Sequence, residues 1–439
     1  MRGRNIFLFF IGLFSLVRIH IIGMIGISEL VILLYAPLLF IRNYQQMKRE
    51  GFLTFAILVL LTCLGCLVGA YYNHTIFQNL IRGFATPMML FCSFVFFHHF
   101  LHGHLSSYKW VVLGLSLSVA VSYFFNGVSV EDVLSNDIQS DLGSSNYLMM
   151  VILSPLFSIP LILWYRKFPW VVSCCIVVGS AVFQVVMTES GRSAALGSLA
   201  GAALIAVGRK SVRAMSSVKR KFAGYFLMAI MAVFAINAVY SNAAASGLLG
   251  DASRKKYFEQ TGGKGTLLST LMGGRLEVFI GAYAASHQPI VGFGPWAIDW
   301  NGLADEFRVK YGFYDYTEEA KRAAYLQSIG LGDAVKFIPA HSHIIGGWLW
   351  YGIFGLILWS YVVYLIFKFF GTAADAIPQW WYLLAVGLPS LLWHIFFSPF
   401  SARVAMGATV CALLYAIGVA KGRIKLDPEA YSEGRHYLP

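Results

Sequence analysis

Charged residues are scarce in this chain: Asp, Glu, Lys and Arg make up 12% of its 439 residues, while 58% are hydrophobic and the mean hydropathy is +0.67. A soluble domain cannot cover its surface with so little charge, so the composition is that of a polytopic membrane protein. Cysteine is sparse as well. All six (Cys63, Cys66, Cys92, Cys174, Cys175, Cys411) fall in apolar runs. That excludes a disulfide framework in a polar segment and leaves Cys63-x-x-Cys66 as packing rather than redox or metal chemistry. No internal repeat is visible, which speaks against a polysaccharide transporter or flippase assembled from repeated halves. Polar sequence of any length is lacking too, with one exception. Residues 241–343 hold 10 of the 33 Lys and Arg residues and interrupt an otherwise continuous succession of apolar spans.

About twenty mostly apolar residues cross a bilayer, and the sequence predicts twelve such spans. They cover 5–17, 22–41, 52–70, 79–101, 110–125, 147–165, 170–188, 194–208, 222–240, 344–367, 380–397 and 404–420. The first and eighth are short. Arg18 and His20 follow the first with no small-residue cleavage pattern, so it reads as a retained span. The expected organisation is a membrane bundle of nine spans over 1–240, the polar segment 241–343, three spans over 344–420 and a tail over 421–439.

Orientation follows from Lys and Arg, which accumulate in short cytoplasmic loops. With both termini inside, the inner segments carry nineteen, with six of them between 209 and 221, and the short outer segments carry only Arg18, Arg192 and Arg403. The segment 241–343 therefore lies outside. The net charge of +12 needs no nucleic-acid partner, because anionic membrane lipid is a sufficient counterpart for the inner loops.

Several side chains are candidates for chemistry. Glu29 and Arg82 lie within the second and fourth spans, where an ionisable group is costly unless it is paired, snorkels or works. His98, His99, His102 and His104 cluster at the inner end of the fourth span, as a metal site or as interfacial histidines. The acids Glu131, Asp132, Asp137 and Asp141 are spread through a loop rich in Ser, Asn and Gly, where the simplest reading is solvation. Arg192 sits in the outer turn 189–193, paired with Glu189 or turned to an anion. Arg275 follows Gly273-Gly274 and opens a helix over 275–287, well placed for an anion unless Glu277 or Glu259 neutralises it. A second polar helix is predicted over 303–328, with Tyr311 and Tyr314 available for stacking on sugars or for the interfacial aromatic belt.

Outer arginines and an outer histidine together suit transfer of a group from a lipid-linked diphosphate to an alcohol. Guanidinium groups bind phosphate oxygens bidentately and stay charged, and histidine takes a proton from a hydroxyl near neutral pH. A metal would neutralise the leaving group equally well, but the outer segments contain no Asp-x-Asp pair, and no cofactor is expected. His341 is the candidate base, or else an interfacial histidine that caps and packs.

The motifs Arg192-x3-Leu196, Gly274-Arg275 with Pro289 and Gly292-x-Gly294, and His341-x10-Gly352 resemble the O-antigen ligase and Wzy-type polymerase superfamily. The resemblance covers most of the chain, with about a dozen spans and the largest outer loop late in the sequence. It implies an all-α membrane fold akin to the C-type glycosyltransferases, with a helical periplasmic segment between spans 9 and 10. It also implies a metal-independent transferase of the bacterial inner membrane. Such enzymes move a glycan from undecaprenyl diphosphate to an acceptor on the periplasmic face, with inversion at the anomeric carbon. Carried over, Arg192 and Arg275 hold the diphosphate and His341 activates the acceptor hydroxyl. Arg82 is added on physical grounds and a looser similarity as a phosphate contact, and His343, Tyr311 and Tyr314 are further candidate substrate contacts. Ser342 stands where the family has Asn, which leaves the base open between His341 and His343. A ligase acting on lipid A-core is the first expectation. A polymerase extending a lipid-linked repeat is second, and protein O-glycosylation third, since only 19 residues follow Ala420.

Overall fold

Helix dominates, as expected of long apolar stretches that must satisfy their own backbone groups away from water. The structure, a computed structural model, describes residues 3–15, 17–20, 24–49, 52–101, 107–126, 170–187, 201–202, 205, 241–248, 254–255, 257–258, 275–311, 337–339, 341–376, 391–392 and 395–397. In chain order come α1 (Gly3–Leu13), the hairpin strands β1 (Arg18–His20) and β2 (Met24–Gly26), α2 (Ile27–Arg42) and α3 (Tyr44–Arg49). Next are α4 (Phe52–Tyr72), α5 (Phe77–Leu101), α6 (Tyr108–Asn126) and α7 (Trp170–Met187). The polar segment contributes α8 (Leu276–His287) and α9 (Leu303–Tyr311), and α10 (His343–Tyr351) and α11 (Ile353–Ala376) follow.

Two of these, α4 and α5, are long and apolar enough to cross a membrane. Their length follows from sequence: α4 is 21 residues without proline or charge. Helices in an apolar medium gain little from burying apolar surface against one another, so they associate by close packing at small residues. The contact of α1 with α6 has this form. A side chain at Gly12 would strike the Val111 carbonyl, and one at Gly114 would strike that of Phe9. Aromatic rings fill the rest, with Phe55 against Phe94 at 4.6 Å and Phe96 against Phe100 at 4.6 Å.

The tenth expected span, 344–367, is not one helix. It breaks at Gly352, whose φ of +63° and ψ of −151° suit glycine alone. The chain then doubles back, so that Gly347 on α10 faces Gly355 on α11 and His343 stacks on Trp359 with centroids 4.8 Å apart. Trp359 is seven residues beyond Gly352. At 1.5 Å per residue, the start of α10 therefore lies roughly 10 Å along α11 from the turn. The loop 289–295 wedges into this turn: Phe293 N–H donates to the Leu349 carbonyl at 2.6 Å and Ile353 N–H to that of Ile290 at 3.2 Å. On its other side Gly294 meets Ala70 and Thr75, and Pro295 covers Gly83 of α5. The polar segment is thereby fixed to the end of the α4–α5 pair that carries Arg82.

Other expectations change at the N-terminus. The first span is an 11-residue α1, and the second begins only at Ile27, because 18–20 and 24–26 pair as antiparallel strands. Glu29 is consequently in the first turn of α2, where its carboxylate accepts the Gly26 N–H at 2.8 Å. A capping role replaces the buried-charge reading. His98 packs on Phe52 and His99 meets the Asn43 amide at 3.2 Å, while His102 and His104 lie outside the described residues. So do the sixth, ninth and twelfth spans and most of the eighth and eleventh.

Candidate functional site

The helix read over 275–287 is present as α8, with Arg275 as its N-cap residue at φ −144°, ψ 36° and Glu277 in its first turn. A carboxylate there is favoured by the unsatisfied N–H groups and the positive end of the helix dipole. The packed face of α8 buries Ile280 together with the small residues Gly281, Ala284 and Ala285. That lets the helix close on the strand-like 337–339 segment: a side chain at Gly281 would come 2.8 Å from the Pro339 carbonyl and 3.3 Å from Ile345. The same segment is held from the other side, where Ile338 N–H donates to the Ala297 carbonyl at 2.9 Å.

This clamp brings the start of α8 against the start of α10. Nδ1 of His341 lies 3.6 Å from Oε2 of Glu277, with 28% of the His341 side chain and 42% of the Glu277 side chain exposed. The separation exceeds hydrogen-bond length. Burial raises the Glu277 carboxyl, but the His341 imidazole, the residue's own N–H and the charges of His341 and Arg275 outweigh it, so it titrates below the ordinary glutamate value. Arg275, Glu277 and His341 thus form one electrostatic group across 66 residues of sequence.

Ser342 caps α10. Its hydroxyl accepts the Ile345 N–H at 3.2 Å and donates to the Ile395 carbonyl at 3.2 Å. With Ser342 fully buried, the residues either side of it are sorted. His341 stays at the open edge. His343 is 2% exposed, stacked on Trp359.

Arg82 sits elsewhere on the same wall. Its Cζ is 5.9 Å from the ring of Trp296, and Trp296 packs on Trp350 at 4.7 Å. Trp296 has φ +51°, a costly conformation for a bulky residue that persists only where surroundings impose it. Arg82 above, Trp350 beside it and Pro295 fixed on Gly83 are those surroundings. Tyr311 ends α9 and stacks on Phe307 at 4.5 Å, and Phe307 in turn meets Tyr283 at 5.4 Å. Lys310 lies 5.3 Å from the Tyr283 ring and 5.8 Å from the Tyr311 ring. Tyr283 donates its hydroxyl to Glu306 at 2.6 Å, which pushes the phenol up. Tyr311 and Lys310 are exposed at the edge of this cluster, while Phe307 is buried within it. Arg192 and Tyr314 lie outside the described residues.

Two participants were not singled out as site residues by the sequence. Glu277 was weighed only as a local neutraliser of Arg275; its place in the first turn of a helix was the available signal, and its proximity to His341 was not. Trp296 lies two residues beyond the Gly292-x-Gly294 motif, yet no spacing rule connects it to Arg82. Chemically, the described site offers a proton acceptor with a carboxylate behind it and a guanidinium beside it. No family model matches the chain, and neither a curated protein nor a solved structure matches it.

Proposed function

We propose that the chain is a twelve-span glycosyltransferase of the bacterial inner membrane, with both termini cytoplasmic and its site facing the periplasm. It moves a glycan from undecaprenyl diphosphate to a hydroxyl of lipid A-core, as an O-antigen ligase does. The observation that carries this reading is the contact of His341 with Glu277, with Arg275 two residues before it at the N-cap of α8. That group has a proton acceptor and a cation for a leaving phosphate at the end of an apolar bundle. In the reaction, His341 takes the acceptor hydroxyl proton as the oxygen attacks the anomeric carbon, and the bond from that carbon to the diphosphate breaks on the opposite face. The electron pair departs on the diphosphate oxygen, where Arg275 and Arg192 meet the developing charge. Diphosphate is a good leaving group, so protonating it is unnecessary. Arg82 and the aromatic patch around Tyr311 are assigned to flanking contacts with phosphate and sugar, with Tyr314 beyond Tyr311 in the chain. His343 belongs to the packing of α10.

The test is transfer in proteoliposomes, with undecaprenyl-diphosphate-linked glycan as donor and lipid A-core from a strain lacking this protein as acceptor. The expected product is glycan-bearing lipid A-core, formed equally in EDTA. Consumption of donor into longer lipid-linked chains, with core untouched, would replace the acceptor assignment by the polymerase one.

A further inference from the structure

Resting on that reading, we propose that Glu277 is a positioning residue for the base: its carboxylate orients the His341 ring through Nδ1 and stabilises the imidazolium formed when Nε2 accepts the acceptor proton. The warrant is geometric. Of the two ring nitrogens of His341, Nδ1 is the one turned to Glu277. Only Nε2 is then left for a substrate hydroxyl, and a partner on one nitrogen decides which tautomer the other presents. The contact of 3.6 Å is longer than a hydrogen bond, and catalytic contacts of this kind close once substrate is bound. A side chain that is 42% exposed has the freedom to close it.

Among the described residues Glu277 of α8 lies against His341 and Arg275 acts on Glu277 from the same end of that helix, while His343 stacks on Trp359. Arg275 alone would oppose protonation of the ring. Glu277 answers both the imidazole and the guanidinium, each of which lowers its carboxyl. The proton balance is complete within the site: it leaves the acceptor oxygen, rests on Nε2, and is released to solvent through the exposed edge of the ring after glycan transfer.

A carboxylate that merely caps α8 makes a different prediction, since its loss would lower stability and leave the pH dependence of transfer alone. The experiment measures transfer by Glu277→Gln, Glu277→Asp, His341→Gln and the Glu277→Gln/His341→Gln double variant. All are compared in the same proteoliposomes from pH 5 to 9, with folded protein quantified by size-exclusion chromatography in detergent. Glu277→Gln is expected to reduce kcat about 10-fold to 100-fold with KM for the lipid-linked donor nearly unchanged, a share of the roughly 10²- to 10⁴-fold that a general base supplies. The acid limb of its pH profile moves to lower pH, because the imidazolium has lost its counter-charge. Glu277→Asp restores part of the rate, and the double variant is no worse than His341→Gln alone. An inactive His341→Gln together with a Glu277→Gln of unchanged kcat and pH profile overturns the assignment of Glu277 and leaves the transferase reading standing. An active His341→Gln overturns both.

Discussion

The two ends of α10 are built in opposite ways. At its C-terminal end, Gly352 and the loop around Gly292 meet backbone to backbone, with no charge and no room for a single added carbon. At its N-terminal end, His341 and Glu277 are partly open to solvent and make one loose contact. The closed end fixes where the open end stands. Because α10 folds back along α11, rigidity at Gly352 determines how far His341 lies along the bundle.

The largest loss that would sharpen this contrast is expected at the open end. His341→Gln should reduce transfer by on the order of 10²- to 10⁴-fold while leaving the detergent melting temperature unchanged; a matching drop in melting temperature would make His341 structural. At the closed end the pattern reverses. Gly352→Val places a branched side chain at φ +63° against the Ile290 carbonyl, which should cost more than about 2 kcal/mol and appear as a fall in folded yield and melting temperature. Ser342→Ala removes the α10 cap and the bond to Ile395, a loss of about 1 kcal/mol. It should lower the melting temperature modestly, with activity per folded molecule reduced much less than in His341→Gln. The smallest effect concerns acid. The folded Glu277 carboxyl lies below its unfolded value, so its stabilising contribution is present above about pH 4.3 and is lost as pH falls through the folded value. Melting temperatures of the native protein should therefore fall slightly more steeply below that pH than those of Glu277→Gln.

The legible and illegible parts of the molecule divide along the same line. Apolar runs announced α4 and α5 because length and hydropathy are local properties, and α8 was visible from its glycine-marked start and proline-marked end. The break at Gly352 was harder. Its flanks are as apolar as a continuous span, and the turn exists because Ile290 and Gly292, sixty residues upstream, occupy the position a straight helix would need. Glu29 was misplaced for a related reason, since a short hairpin delayed the start of α2. At the site, His341 and Arg275 were each identifiable by residue type and neighbours. That Glu277 completes them depends on Gly281 allowing α8 to close on Pro339, a tertiary fact with no periodicity to reveal it.

The most direct measurement is a gel of lipopolysaccharide from a strain lacking the protein, run beside an assay of polyprenyl-linked glycan. Bare lipid A-core together with accumulated lipid-linked polymer is the predicted result. Lipid A-core that still carries full-length polymer would contradict the account, and core capped by a single repeat would move the protein from ligase to polymerase.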